Sequence, residues 1–95
     1  MLNYQDELDR AFRALGDRTR RTMVERLAQG ALSVSELAKP LAMSMPAVVQ
    51  HIQVLENSGV IASRKKGRVR TCRIETDVLR TVETWLRQAS NGRPT

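Results

Sequence analysis

The chain has 95 residues, of which 41% are hydrophobic, 27% charged and 3% aromatic, and its net charge is +6. At this length one domain spans residues 1–95, and its core is small, because such a chain buries only roughly 60–65% of its unfolded surface. The single cysteine, Cys72, excludes an intrachain disulfide and a multi-cysteine metal site; no apolar run could span a bilayer and no signal peptide opens the chain, so the reducing cytoplasm is the expected compartment.

Asn3 predicts the N-cap of a first helix, with Asp6 and Glu7 in its first turn, where acids favour the helix dipole. Leu8, Ala11, Phe12 and Leu15 form its apolar stripe, and Gly16 ends it. Asp17 predicts the cap of a second helix, in which Met23, Val24, Leu27 and Ala28 face one way and Gly30 is the stop. Arg18, Arg20 and Arg21 stand at its start, where positive charge opposes the dipole. A nearby phosphate, or pairing with Asp17 and Glu25, would offset that cost, and the sequence leaves both readings open.

Ser33-Val34-Ser35-Glu36 is a capping box for a short third helix, with Leu37, Ala38 and Leu41 inward and Pro40 limiting its length. Ser44 caps a fourth helix with Pro46 in its first turn, Val48, Ile52 and Leu55 as its buried stripe, and Asn57-Ser58-Gly59 as its end. Val60 to Ser63 reads as a strand, Lys65-Lys66-Gly67-Arg68 as a hairpin turn, and Val69 to Ile74 as the returning strand. Arg70, Cys72 and Ile74 share one face of it. A last helix from about Asp77 to Gln88 carries Val78, Leu79, Val82, Trp85 and Leu86, and residues 91–95 read as a frayed tail. The predicted fold is mainly α with a small β-hairpin, in the order ααααββα.

Charge is distributed unevenly along these elements. Residues 1–63 and 74–95 each sum to zero, so the whole excess lies in Arg64, Lys65, Lys66, Arg68, Arg70 and Arg73, a run without an acid. Such a run is either a polyanion contact or a solvated loop. Its position decides more than its composition does. Two capped helices joined by a tight turn over residues 33–59 make a helix-turn-helix pattern, and a basic hairpin directly after them completes a winged helix.

Arg13-Ala14-Leu15-Gly16-Asp17-Arg18-Thr19-Arg20-Arg21, Ser33 to Ala38, Ser44 to Ile61 and the hairpin Lys66-Gly67-Arg68-Val69-Arg70 together resemble the ArsR family of bacterial winged-helix repressors. The resemblance spans about Leu8 to Leu86. It implies a homodimeric, non-enzymatic, cytoplasmic and nucleoid-associated DNA-binding repressor on a roughly palindromic operator, with double-stranded DNA as partner and no membrane association. If Val48, Ile52 and Leu55 face the core, Met45, Pro46, Val49, Gln50 and Gln53 face out, and the resemblance implies that 45, 46, 49 and 50 meet the groove; Ser44 at the helix start and Lys65, Lys66, Arg68 and Arg70 of the wing complete the expected DNA contacts. Gln50 is the expected base reader, because a carboxamide can bond adenine in bidentate fashion. Met45 and Val49 suit thymine methyls, and Val49 departs from the polar residue more usual there. Leu8, Phe12, Val82, Trp85 and Leu86 are expected at the dimer seam.

Metal sensing, common in the family, is not expected, nor is any cofactor. The third-helix site needs closely spaced cysteines where Ser33-Val34-Ser35-Glu36-Leu37 stands, and on the last helix only Asp77 occupies a ligand position. His51 reads as a half-buried packing residue with one hydrogen bond, and Cys72 as a small hydrophobe. The rival reading is a winged-helix interaction module that binds an acidic protein partner.

Overall fold

The first four helices start where a side chain satisfies the free N–H groups of the first turn, whereas Glu75 before the fifth makes no such bond. The computed structural model describes residues 3–92, so Arg93, Pro94 and Thr95 of the expected tail lie outside the described residues. Asn3 caps α1 (Tyr4–Leu15) by accepting from the Asp6 N–H at 2.8 Å, and Asp17 caps α2 (Arg18–Leu27) through the Arg20 N–H at 3.0 Å. Ser33 and Glu36 form the reciprocal capping box of α3 (Val34–Ala38), and Ser44 accepts from Ala47 at the start of α4 (Met45–Asn57). α5 (Thr76–Ser90) is longer than predicted at both ends, and Asn91 is its C-cap.

The core joins all these helices. Leu8, Ala11 and Ala14 of α1, Met23 and Leu27 of α2, Leu37 of α3, and Val48, Ile52 and Leu55 of α4 are buried together with Val60, Ile61, Cys72 and Val82. Ala28, expected on the inner face of α2, is exposed, whereas Ala14 is fully buried. Burial pushes the Cys72 thiol up from its ordinary pKa, in keeping with a packing role.

The hairpin is longer than expected and has a third strand. β2 (Ile61–Lys66) and β3 (Val69–Ile74) pair antiparallel around a two-residue turn, Gly67-Arg68, with Gly67 at φ +63°. β1 (Leu32–Ser33) adds to the other side of β3, Leu32 opposite Cys72 and Ser33 opposite Thr71, giving the order β1-β3-β2. The chain order is therefore ααβααββα.

The arginines at the start of α2 have a structural explanation that the sequence did not offer. Arg20 donates from Nε to the Ala14 carbonyl at 2.7 Å and from Nη2 to the Arg13 carbonyl at 3.1 Å, and Arg21 Nη1 donates to the Leu15 carbonyl at 2.8 Å. These are the last carbonyls of α1, where cations complement the dipole. Arg26 does the same for α3, reaching the Leu37 and Glu36 carbonyls.

Candidate DNA interface

α4 presents one face to the core and the other to solvent. Val48, Ile52 and Leu55 are buried, which turns Met45, Pro46, Val49, Gln50 and Gln53 outward, and all five are exposed. Ser44 is also exposed, but its hydroxyl is engaged as the N-cap. Met45 and Val49 are 46% and 38% exposed, apolar positions left open at the start of a helix that packs against α1, α2 and α3.

The hairpin stands beside this helix and forms an open groove of about 790 Å³ with it. Met45, Val49 and Gln53 line the groove from α4, and Lys65, Arg68 and Arg70 line it from the wing. Six of the predicted interface residues therefore converge on one concave surface. The strand register separates the cations further. Lys65 pairs with Arg70 and Ser63 with Cys72, so Lys65 and Arg70 lie on the same face of the sheet as buried Cys72. Lys66 pairs with Val69, and Arg64 with Thr71, on the opposite face. Lys66, expected beside the recognition helix, thus points away from it. The turn begins one residue later than predicted, and a one-residue shift moves a side chain to the other face.

Two residues that connect the wing to α4, Glu56 and Ser63, were not predicted. Ser63 Oγ donates to Glu56 Oε2 of α4 at 2.5 Å and accepts from Arg70 Nη1 at 2.9 Å. This chain ties the wing to α4, and it makes Arg70 partly a structural residue. Pairing the strands around Gly67-Arg68 would have put Ser63 and Arg70 on one face, but nothing local marks Glu56. On the opposite side of α4, half-buried His51 meets Arg20 Nη1 at 3.2 Å through Nδ1 and Asp17 at 3.9 Å. The Arg20 backbone N–H, above all, holds the Asp17 carboxyl below its ordinary pKa.

The predicted seam residues divide into two sets. Leu8 and Val82 are only 3% and 6% exposed and belong to the core of the chain itself. Phe12, Trp85 and Leu86 are exposed, and Tyr4 joins them. Phe12 and Trp85 meet edge to face across α1 and α5, ring centroids 5.4 Å apart.

The residues present do not fit the family's metal sites. Ser33 and Glu36 engage each other's backbone in the capping box, leaving no donor set on α3. Among the described residues no three of His, Cys, Asp and Glu gather as metal ligands, and no helix is long and apolar enough to cross a membrane.

A capped two-helix unit with an exposed second helix and a cationic hairpin beside it defines a winged helix-turn-helix DNA-binding module. The helix-turn-helix domain family matches residues 15–64 of the chain. Over 76 residues the chain is 45% identical to the HTH-type transcriptional regulator Rv2034 of Mycobacterium tuberculosis, covering 80% of this chain and 71% of the relative. The crystal structure of the ArsR family transcriptional regulator RHA00566 superposes with a TM-score of 0.88 at 46% identity, covering 96% of this chain and 94% of that one. The homodimeric winged helix-turn-helix DNA-binding domain Mb0332 of Mycobacterium bovis shares the fold, with a TM-score of 0.73 at 24% identity over 96% of this chain and 88% of that one. The chain belongs to the ArsR family of winged helix-turn-helix transcriptional regulators. It is a regulator and not an enzyme.

Proposed function

We propose that this regulator is a homodimeric repressor that occupies a roughly palindromic operator, with one α4 in the major groove of each half-site and one wing over the flanking phosphates. The observation that carries the reading is the shared groove: exposed Met45, Val49 and Gln53 on α4 face Lys65, Arg68 and Arg70 on the wing. Uncharged side chains at the helix and cations at its flank suit base edges and phosphates respectively. Gln50, exposed on the same helix, is the base reader in this account.

The dimer is supported by exposed Phe12 and Trp85, which meet across α1 and α5, with Tyr4 and Leu86 also exposed on these two helices. Large apolar side chains left exposed on two packed helices suit an interaction surface. The homodimeric state of Mb0332 fits this reading. Dimeric pairing makes the operator symmetric, because each half-site meets the same surface. Repression follows from occupancy, which is the mode of action implied by the family.

Sedimentation equilibrium tests the assembly. The wild type sediments at twice 10.7 kDa at micromolar concentration, and Trp85→Ala shifts it toward monomer. Selection of duplexes from a random pool then returns a two-fold symmetric sequence. A stable wild-type monomer, or a selected site without symmetry, contradicts the proposal.

A further inference from the structure

The wing carries two cationic faces, and the groove beside α4 uses only one. Lys65 and Arg70 lie on the inner face, and Arg68 is at the turn. Arg64, Lys66 and Arg73 lie on the outer face, with Thr71 between them. They line a separate open concavity of about 640 Å³ together with Ser63 and with Ala31 from the loop before β1. Successive strand residues point to opposite sides of a ribbon, so these two sets are directed apart.

The charges on the outer face are largely unanswered. Arg73 lies 3.7 Å from Glu75. Among the described residues no carboxylate lies within ion-pair distance of Arg64 or Lys66. Elsewhere acids and bases cancel, and the net charge of the chain resides in this hairpin. A duplex seated against α4 and the inner face neutralises Lys65, Arg68 and Arg70, and leaves the outer three facing solvent.

We propose that the outer face of the wing binds the phosphate backbone of a second duplex, so that an operator-bound dimer bridges two DNA segments. This rests on the DNA-binding reading above and adds a second, sequence-independent surface to it. Arg64 and Lys66 are its principal contacts, Arg73 contributes what Glu75 leaves, and the Thr71 hydroxyl donates to a phosphate oxygen. Such contacts position without reading sequence, and they weaken steeply with salt.

The test uses the intact protein and an in vitro selected duplex tethered to a surface. Saturating protein is added first, and its binding tests the DNA-binding reading by itself. A labelled random-sequence duplex is added second. The wild type captures it, and the double variant Arg64→Ala/Lys66→Ala captures at least tenfold less while its affinity for the tethered duplex changes less than twofold. Capture falls with salt by a slope of about 0.9 per neutralised phosphate. Two results overturn the proposal: wild-type protein saturates the tethered duplex yet captures nothing, or the double variant loses affinity and salt slope on the first duplex, which places the outer face on that duplex. Failure of the first step alone overturns the DNA-binding reading, and the bridging with it.

Discussion

Arg20 and His51 are 31 residues apart, yet Arg20 Nη1 lies 3.2 Å from His51 Nδ1. A guanidinium can only donate, so in this contact Nδ1 is the acceptor. The same guanidinium caps two carbonyls of α1. One side chain therefore fixes the end of the first helix, the start of the second and the middle of the recognition helix.

Arg20→Ala is expected to destabilise the protein by about 2–4 kcal/mol, since net hydrogen bonds to charged groups contribute about 1.5–3 kcal/mol and do not add fully. Arg20→Lys recovers less than half of the loss, because an ammonium cannot span three acceptors with the geometry of a planar fork. Urea denaturation measures both. A lysine variant as stable as the wild type contradicts the role given to Arg20.

Glu56 is an acid in a groove whose other charged lining residues are Lys65, Arg68 and Arg70, and Ser63 connects it to Arg70. Glu56→Gln keeps an acceptor for Ser63 and deletes the charge. Random-sequence duplex is expected to bind about twofold to fivefold more tightly, the scale of a like-charge repulsion across about 8–10 Å of water-like dielectric in two protomers. Fluorescence anisotropy at fixed salt reads this. Weaker random binding shows that Glu56 does not oppose phosphate.

Gly59 connects α4 to β2 at φ +81°, and a Cβ added there meets Val78 Cγ2 of α5 at 2.8 Å. Gly67 has a similar φ, +63°, and open space around it. Gly59→Ala therefore combines backbone strain with a clash, while Gly67→Ala carries strain alone. Strain of this kind costs about 1–3 kcal/mol, and each kcal/mol moves Tm by about 4–8 °C in a domain this size. The expected order of Tm is wild type, Gly67→Ala, Gly59→Ala. Equal destabilisation at the two positions would show that Val78 yields freely.

The local features of this fold were readable and the non-local ones were not. Asn3, Asp17, Ser33 and Ser44 announce four helix starts, because capping involves only the next three residues. β1 is two residues long and exists through pairing with Thr71 and Cys72, far along the chain, so no periodicity reveals it. Leu8 and Val82 share their helices' apolar stripes with Phe12 and Trp85, and only packing separates the core pair from the exposed pair. Periodicity divides α4 correctly into buried and exposed faces, because its 3.6-residue repeat is unbroken. It could not place Lys66, whose side of the hairpin depends on a one-residue choice of turn.

Met45, Val49, Gln50 and Gln53 on the exposed face of α4 are uncharged and the wing is cationic, and the salt dependence of Gln50→Ala and Arg68→Ala separates the roles of the two. Fluorescence anisotropy is recorded on the selected operator and on random duplex across a salt series. Arg68→Ala is expected to weaken both DNAs to a similar degree and to reduce the slope by about 0.9 for each phosphate no longer neutralised, one such phosphate per protomer. Gln50→Ala is expected to leave the slope and random-DNA affinity nearly unchanged, and to lower operator preference by about 1–3 kcal/mol per half-site. If Gln50→Ala weakens both DNAs equally, or Arg68→Ala changes neither affinity nor slope, the account is contradicted.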